Sequence, residues 1–201
     1  MKILIVYYSM YGNTFELANY VSEGAKLVEG ADVIIKQVAD LLPESVIKNS
    51  PEIQKAKEKQ NHIPIANPLE IADYDAIIWG TPTRYGNVCS QVRNFMDQTA
   101  PLWLGGKLEN KVTGVFISTA SLHGGQETTI TSAMLPLFHL GMIVVGVPYS
   151  VPELLTTNSG GTPYGPSHVA GPTSNMPITK DEAAIAKAFG KRIAEVTKKM
   201  L

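Results

Sequence analysis

The chain has 201 residues, of which 44% are hydrophobic and 17% charged, and its formal net charge is −1. This length is enough for one good hydrophobic core and marginal for two domains. The near-neutral charge gives no reason to expect nucleic acid or an anionic membrane surface as a partner. The single cysteine, Cys89, excludes an internal disulfide and a cysteine-rich metal site, so we expect no metal.

The sequence favours a cytoplasmic protein. A lone cysteine fits a reducing compartment. The chain starts directly with a predicted core strand, so nothing at its N-terminus resembles a signal peptide. No apolar run approaches membrane length, so we expect no membrane insertion.

The first residues predict a strand, a polar loop and a helix in succession. Ile3–Tyr7 is an unbroken β-forming run, typical of a strand buried on both faces of a parallel sheet. Ser9–Asn13 is a loop of hydroxyl-bearing and small residues, and a helix is predicted from Thr14 to near Gly30. The free amides and the dipole of such a helix start favour an anion in the loop.

The loop composition narrows the kind of anion. It contains no Lys or Arg and matches neither the nucleoside triphosphate loop nor the glycine-rich dinucleotide turn. A neutral loop of hydroxyls and amides suits one terminal phosphate monoester, such as that of flavin mononucleotide (FMN). Alternatively, Ser9 and Thr14 only cap the helix. The loop alone leaves both interpretations open.

Strand and helix patterns alternate along the rest of the chain. Further strands are predicted at 32–38, 75–80, 111–118 and 142–147. Further helices are predicted at about 52–60, from about 88 to 99, at 126–140 and at 179–201. Pro136 is expected to kink or shorten the fourth of these five helices, counting the one from Thr14. Thr179 and Glu182 predict a capping box.

Two segments do not fit this alternation. Leu41–Asn61 is polar, and its lysines Lys55, Lys57 and Lys59 are expected to form a solvated face. Val151–Pro177 is rich in Gly, Pro, Ser, Thr and Asn. It is longer than a simple connecting loop in a compact domain, which favours a lid or an interface segment.

The pattern predicts an α/β fold: one doubly wound domain over 1–201, with a loop-rich insertion at about 151–177. In such sheets ligands bind beyond the carboxyl ends of the strands, where strand order reverses. The loops after the first, third and fourth strands lie at that end. We therefore expect them to build one ligand site.

The loop Thr81–Asn87 carries residues suited to a flat ligand. Pro82 stiffens it, and Gly86 lets the backbone approach closely. The planar guanidinium of Arg84 can stack or donate beside a ring, and Tyr85 can form an aromatic wall. Singly, each is ordinary for a surface or core residue; together they favour the site.

The loop Ser118–Gln126 is small and polar, then glycine-rich, and suits the other edge of a ring and a sugar chain. His123 is either a general acid or a surface residue, and the surface is favoured. His139, near a helix end, either complements the dipole or faces a ligand. Trp103 is either a core residue or a stacking platform.

These parts suit flavin chemistry. An isoalloxazine ring takes a hydride from a nicotinamide and passes two electrons to a quinone, while the protein supplies orientation. No acid–base pair with dedicated spacing is visible, and none is required. No Ser-His-Asp arrangement, His-Glu-x-x-His site or nucleophile elbow is present.

Four segments carry a resemblance to a known family: Tyr7–Thr14, Ala76–Asn87, Gly124–Thr131 and Gly160–Gly165. Together they are similar to the WrbA family of flavodoxin-like NAD(P)H:quinone oxidoreductases, over nearly the whole chain. Plain flavodoxins lack the last segment. The resemblance implies a three-layer α/β/α sandwich with a five-stranded parallel sheet, FMN as cofactor, a homotetramer, and reduction of quinones by NADH or NADPH.

The resemblance also implies residue roles. It places the FMN phosphate at one loop, the isoalloxazine at the second and its other edge with the ribityl chain at the third: Ser9, Met10, Tyr11, Gly12, Asn13 and Thr14; Pro82, Thr83, Arg84, Tyr85 and Gly86; Ser118, Thr119, Ala120, Ser121, His123 and Gly124. His139 reaches the flavin from a neighbouring subunit. Tyr11 also contacts the nicotinamide nucleotide, and Trp103 flanks the substrate space.

The chain departs from the family pattern in several places. Asn13 stands where bacterial members often carry His, and Ala120 and His123 replace glycines. Leu140 stands where a second His is common. Segment 172–177 replaces a run that contains an Arg.

Two other functions compete. A flavodoxin-type electron carrier would have no substrate of its own, but such carriers are usually strongly acidic to meet basic partners. The charge of −1 and the segment 151–177 argue against it. A flavin-free binding protein is the third hypothesis.

Overall fold

A parallel β-sheet forms the centre of the molecule, and the computed structural model describes all of residues 1–201. Its parallel strands are β1 (Lys2–Tyr7), β2 (Asp32–Gln37), β3 (Ala76–Arg84), β5 (Val112–Thr119) and β6 (Ile143–Val144); two short strands extend it, β4 (Asn87–Val88) and β7 (Ser167–Val169). The parallel order is β2-β1-β3-β5-β6. β4 pairs antiparallel with β3, and β7 pairs parallel with β5. The predicted doubly wound five-stranded sheet is confirmed.

Eight helices flank the sheet: α1 (Asn13–Lys26), α2 (Glu44–Lys48), α3 (Pro51–Gln60), α4 (Ser90–Asp97), α5 (Ala100–Leu104), α6 (Gln126–His139), α7 (Glu153–Thr156) and α8 (Lys180–Met200). A 3₁₀ turn, Glu70–Asp73, precedes β3. None of the helices combines the length and the apolar character that crossing a bilayer requires.

The unbroken hydrophobic run of β1 reflects burial on both faces. Its alternate residues Ile3 and Ile5 pack against α1 and α8, whereas Leu4 and Val6 belong to the core on the side of α4, α5 and α6. Both sets are fully shielded from solvent. A strand between two helical layers must be apolar on both sides, which is why strict alternation is absent.

The helices α1 and α8 cross at very close range through two glycines. A Cβ atom at Gly190 would lie 1.9 Å from the carbonyl oxygen of Val21, and one at Gly24 would lie 1.9 Å from that of Lys187. Only glycine allows this contact between the two backbones. The position of α1, and hence of its N-terminus, is therefore fixed by α8.

Three predicted boundaries are wrong. The first helix ends at Lys26 instead of near Gly30, because Leu27 and Val28 donate to carbonyls three residues back and close the last turn. The third strand continues to Arg84, so 81–87 is mostly a hairpin with β4 and not a free loop. Pairing in β4 also delays α4 to Ser90.

The predicted fifth strand, 142–147, is regular only at Ile143–Val144. Beyond that point β7 takes the place beside β5, pairing Ser167 with Ile117 and Val169 with Thr119. The chain at Gly146 packs instead against Pro163, to whose carbonyl Val147 donates. A segment predicted as loop therefore completes the sheet.

The helices α8 and α6 agree with their predictions to different extents. The predicted capping box is confirmed, because Thr179 accepts from the Glu182 amide while the Glu182 carboxylate accepts from the Thr179 amide. Of the two expected effects of Pro136, a kink or a shortening of α6, the shortening does not occur. This helix runs on to His139, and the Leu140 amide donates to the Pro136 carbonyl to close its last turn.

Candidate functional site

The carboxyl ends of β1, β3 and β5 surround a small cavity of about 120 Å³ at the point where strand order reverses. Residues from all three predicted loops and from the segment 170–174 line it: Ser9, Met10, Tyr11, Asn13, Thr14, Pro82, Thr83, Arg84, Ser118, Thr119, Ala120, Ala170 and Ser174. The position agrees with the general rule for ligand sites of open α/β sheets.

The first loop presents a run of unpaired backbone donors. The N–H groups of Met10–Phe15 donate to no acceptor in the protein, and the first bond of the helix runs from Glu16 to Gly12. Gly12 is the N-cap residue, with a left-handed φ of 95°, and no side chain caps the helix. The alternative that Ser9 and Thr14 only cap α1 is therefore wrong. The donors remain free for an anion.

Three hydroxyl groups add to these donors. Ser9, Thr14 and Ser118 are all buried, line the cavity and make no side-chain hydrogen bond within the protein. Their hydroxyl oxygens are not among the shielded unpaired atoms of the protein, so they remain accessible and can bond to a ligand. Their placement around unpaired amides, without a cation in the first loop, fits a phosphate monoester held by hydrogen bonds.

The helix α3 supports the first loop from outside. The expected solvated face is confirmed for Lys55 and Lys59, which are exposed, and is wrong only for Lys57, which is half-buried. Gln60 is buried and donates its side-chain amide to the Ser9 carbonyl at 3.4 Å. Lys57 forms an ion pair with Asp40 at 2.6 Å and lies over the Tyr8 ring. Burial alone raises the pKa of Asp40, but Lys57 and the hydrogen bonds from the Leu42 amide and the Tyr8 hydroxyl together outweigh it and hold that pKa below its ordinary value.

The β3–β4 hairpin forms the second side. Thr83 shares a 2.7 Å hydrogen bond with Thr129 of α6 and accepts from the Gly86 amide. Arg84 donates to the Thr83 carbonyl and to the Met10 sulfur, so it joins the hairpin to the first loop. Tyr85, at the turn, has a left-handed φ of 53° and is fully exposed.

The third side is stabilised by β7. Thr119 accepts at its carbonyl from Ala170 and donates its hydroxyl to the Ser121 carbonyl. Gln126 donates to the Leu122 carbonyl and accepts from the buried hydroxyl of Ser167. The conformation of the third loop therefore depends on a distant part of the chain.

A buried carboxylate anchors this distant part. Glu182 accepts hydrogen bonds from Ser159, Gly160 and Val169 at one oxygen, and from Thr179 and His168 at the other. Burial alone raises the pKa of Glu182, but the hydrogen bonds outweigh it and lower that pKa to about 2. The carboxylate therefore joins β7 and the chain before it to the start of α8.

Sequence reasoning missed two lining residues, Ala170 and Ser174. The Asn13 side chain donates to the Ser174 carbonyl at 3.0 Å, which brings this segment over the first loop. The signal was the unusual length of the 151–177 segment, but composition alone did not show which of its residues reach the site.

Some predicted site residues lie outside the first cavity when one chain is considered alone. Seven of the proposed FMN contacts do not line the cavity: Gly12, Tyr85, Gly86, Ser121, His123, Gly124 and His139. His123 is exposed, as favoured above. Trp103 and His139 instead line a second cavity of about 450 Å³ between α4, α5 and α6, together with Met96 and Leu135. Trp103 is 55% exposed, so it is not a core residue.

Acidic, histidine and cysteine side chains do not gather anywhere in groups of three that could hold a metal ion. The chemistry available at the first cavity is therefore that of amides, hydroxyls and one guanidinium.

Comparison with known proteins gives consistent results. Residues 1–153 match the model of the family described as NADPH-dependent FMN reductase. Two relatives are named NAD(P)H dehydrogenase (quinone). The one from Chromohalobacter salexigens is 48% identical over 99% of this chain and 98% of its own. The one from Aromatoleum aromaticum is 43% identical over 98% and 95%.

Solved structures show the same fold. A flavodoxin, WrbA-like protein from Agrobacterium tumefaciens has a TM-score of 0.67 at 24% identity, covering 100% of this chain and 99% of its own. A flavodoxin from the domain Archaea has a TM-score of 0.63 at 20% identity, over 98% and 99%. The three-layer flavodoxin-like architecture is confirmed.

Proposed function

The chain belongs to the NADPH-dependent FMN reductase family, and its sequence motifs resemble those of WrbA-type quinone oxidoreductases. We propose that it uses FMN to transfer two electrons from NADH or NADPH to quinones. The observation that carries this proposal is the row of unpaired amides at Met10–Phe15, next to the unpaired hydroxyls of Ser9, Thr14 and Ser118. The two relatives described above, named as quinone dehydrogenases, support the reaction.

The residues present fit FMN. The amides of the first loop and the hydroxyls of Ser9 and Thr14 would hold the phosphate, with the positive end of the α1 dipole behind them. Thr83 and Arg84 would contact the isoalloxazine, and Ser118 the ribityl chain. Bound FMN supplies two-electron transfer between a reduced nicotinamide and a quinone. The protein orients the cofactor and excludes water from its phosphate.

We further propose that residues 1–201 form one cytoplasmic domain, with 151–177 as its insertion, and that it assembles as a homotetramer. Two large apolar side chains that line the second cavity are exposed, Trp103 and Leu135. Two more exposed ones, Leu104 and Phe138, lie on the same two helices, directly beside lining residues in the chain. Exposed apolar patches of this kind often mark interfaces. A neighbouring subunit that packs there would bring Trp103 and His139 near the flavin of another chain. Light scattering at micromolar concentration tests this assembly, and a monomer contradicts it.

Absorption spectroscopy of the purified protein, followed by release and identification of the flavin, tests the cofactor. A colourless protein that refuses added FMN contradicts the proposal. A steady-state assay then tests the reaction: the FMN-loaded protein should consume NADH when benzoquinone is added. If it binds FMN but shows no turnover, the protein is an electron carrier and not a quinone reductase.

Replacing Thr14 with valine is expected to weaken FMN binding by about tenfold to a hundredfold, because a hydrogen bond to a charged group contributes about 1.5–3 kcal/mol. Valine keeps the shape of the buried side chain and removes only the hydroxyl. Fluorescence titration of the FMN-free protein measures the affinity. Thr197→Val is the control, since this buried hydroxyl donates to Ile193 within α8. Equal effects of the two changes count against the assigned role.

Trp103→Ala is expected to lower kcat/KM for quinone by about tenfold while the FMN affinity changes much less, because the ring contributes to the substrate space and not to the phosphate cradle. Within a single chain Trp103 lies outside the FMN cavity, so the expected loss of quinone reduction requires assembly of the homotetramer. Parallel losses of FMN binding and quinone reduction would show that the residue has another role.

A further inference from the structure

A second depression adjoins the FMN cavity on the outer side of the first loop. It measures about 410 Å³ and lies between the start of α1, the helix α3 and the segment 173–177; we call it the outer groove. Tyr11, Asn13 and Ser174 line both spaces, and the hydrogen bond from Asn13 to Ser174 forms part of the wall between them. A ligand that leaves the FMN cavity past Tyr11 therefore enters the outer groove directly.

Two unpaired cations face this groove. Lys55 and Lys59 are four residues apart on α3, so they lie on one face of the helix, and both line the groove. Neither forms an ion pair, whereas Lys57 of the same helix is paired with Asp40. The groove also contains two carboxylates, Glu16 and Glu52.

Aromatic side chains complete the lining. Tyr11 is 43% exposed and offers an open ring face, whereas Phe15 is half-buried and its ring is already stacked on Tyr7 at 5.6 Å. Exposed aromatic faces accept a nucleobase by stacking. The groove thus offers separate contacts for a base and for a phosphate.

We propose that the outer groove binds the adenosine 2′-phosphate end of NADPH, with Lys55 and Lys59 at the 2′-phosphate. This inference rests on the proposed function and extends it, because it makes these two lysines the determinants of NADPH use. A nicotinamide that reaches the flavin leaves its adenosine half outside the FMN cavity. NADPH differs from NADH only in the 2′-phosphate, a monoester with a charge of about −1.5 to −2 at pH 7. Lysines bind such a group as point charges.

Glu52 allows an independent test, because its charge should affect the preference for NADPH in the opposite direction to the lysine charges. A carboxylate at the groove repels the 2′-phosphate, whereas it accepts a hydrogen bond from the free 2′-hydroxyl of NADH. Removing its charge should therefore favour NADPH, and removing the two lysine charges should disfavour it.

Calorimetry on the FMN-loaded protein tests the groove without any turnover. The probes are adenosine 2′,5′-bisphosphate and 5′-AMP, with the FMN phosphate site already filled. In Lys55→Gln/Lys59→Gln, the affinity for the bisphosphate is expected to fall about tenfold relative to that for 5′-AMP. Glu52→Gln is expected to raise it. Lys55→Arg/Lys59→Arg should retain most of the bisphosphate affinity.

Lys26→Gln is the matched control, since this lysine lies at the far end of α1. An unchanged ratio of the two affinities in the double variant overturns the proposal, and so does an equal weakening of both probes. Circular dichroism and FMN content verify that each variant is folded.

Steady-state kinetics distinguishes a failure of the groove assignment from a failure of the proposed function. The ratio of the KM for NADPH to that for NADH should rise about tenfold in the double variant. If both coenzymes are oxidised and this ratio does not move, the groove assignment is wrong and the proposed function stands. If neither coenzyme is oxidised, the proposed function falls, and calorimetry still decides whether the groove binds the bisphosphate.

Discussion

Gly190→Ala is expected to destabilise the protein by at least about 3 kcal/mol, or roughly 6–12 °C in Tm for a chain of this size. An alanine in a helix interior gains about 1 kcal/mol over glycine. Here its Cβ would meet the Val21 carbonyl oxygen at 1.9 Å, which backbone atoms can relieve only by separating α1 from α8. The clash therefore outweighs the gain in helix propensity.

Thermal unfolding followed by circular dichroism measures this effect. Gly105→Ala is the control, because its Cβ would meet its nearest neighbour at an ordinary 3.4 Å. We expect the control to change stability by no more than about 0.5 kcal/mol. A Gly190→Ala variant as stable as the control would mean that the two helices do not touch as described.

Glu182→Gln is expected to cost about 3–5 kcal/mol at neutral pH. Glutamine offers one acceptor oxygen where the carboxylate has two, so its NH2 group would face either the Val169 amide or the Thr179 amide, depending on which oxygen it replaces. Breaking a fully buried, charged network usually has an effect of this size. Urea unfolding at pH 7 measures the change, with the exposed Glu58→Gln as control.

The pH dependence of folding stability gives a second test of Glu182. The pKa of Glu182 is lowered from 4.5 to about 2 in the folded protein. Its contribution is therefore fully present above pH 4.5 and is lost as the pH falls towards 2, a change of about 3 kcal/mol. The Gln variant should lack this part of the acid sensitivity. If wild type and variant lose stability in parallel over that range, the carboxylate is not the responsible group.

The layers and most of the sheet followed from the sequence because their signals are local and repeated. The apolar run of β1 and the stripe of Ile185, Phe189 and Ile193 in α8 each report burial directly. The capping box is likewise a pattern within four residues. Periodicity of this kind needs no knowledge of the rest of the chain.

The missed features depend on partners that are far apart in sequence. Strand β7 has three residues within a Gly- and Pro-rich segment, too few for a period to emerge. The position of Lys57 depends on its ion pair with Asp40, and the contact of Ser174 with the first loop depends on Asn13. Tertiary context decides such cases, and no local pattern encodes it.

The donors of the first loop belong to the main chain, and this has a consequence for how the site tolerates change. Exchanging Met10, Tyr11 or Asn13 for most other residues leaves every peptide N–H in place. Only a substitution by proline removes a backbone N–H. A residue at Gly12 that does not adopt the left-handed conformation would change the direction in which these N–H groups point. The site can therefore accept considerable variation in its side chains while it continues to recognise the same chemical group.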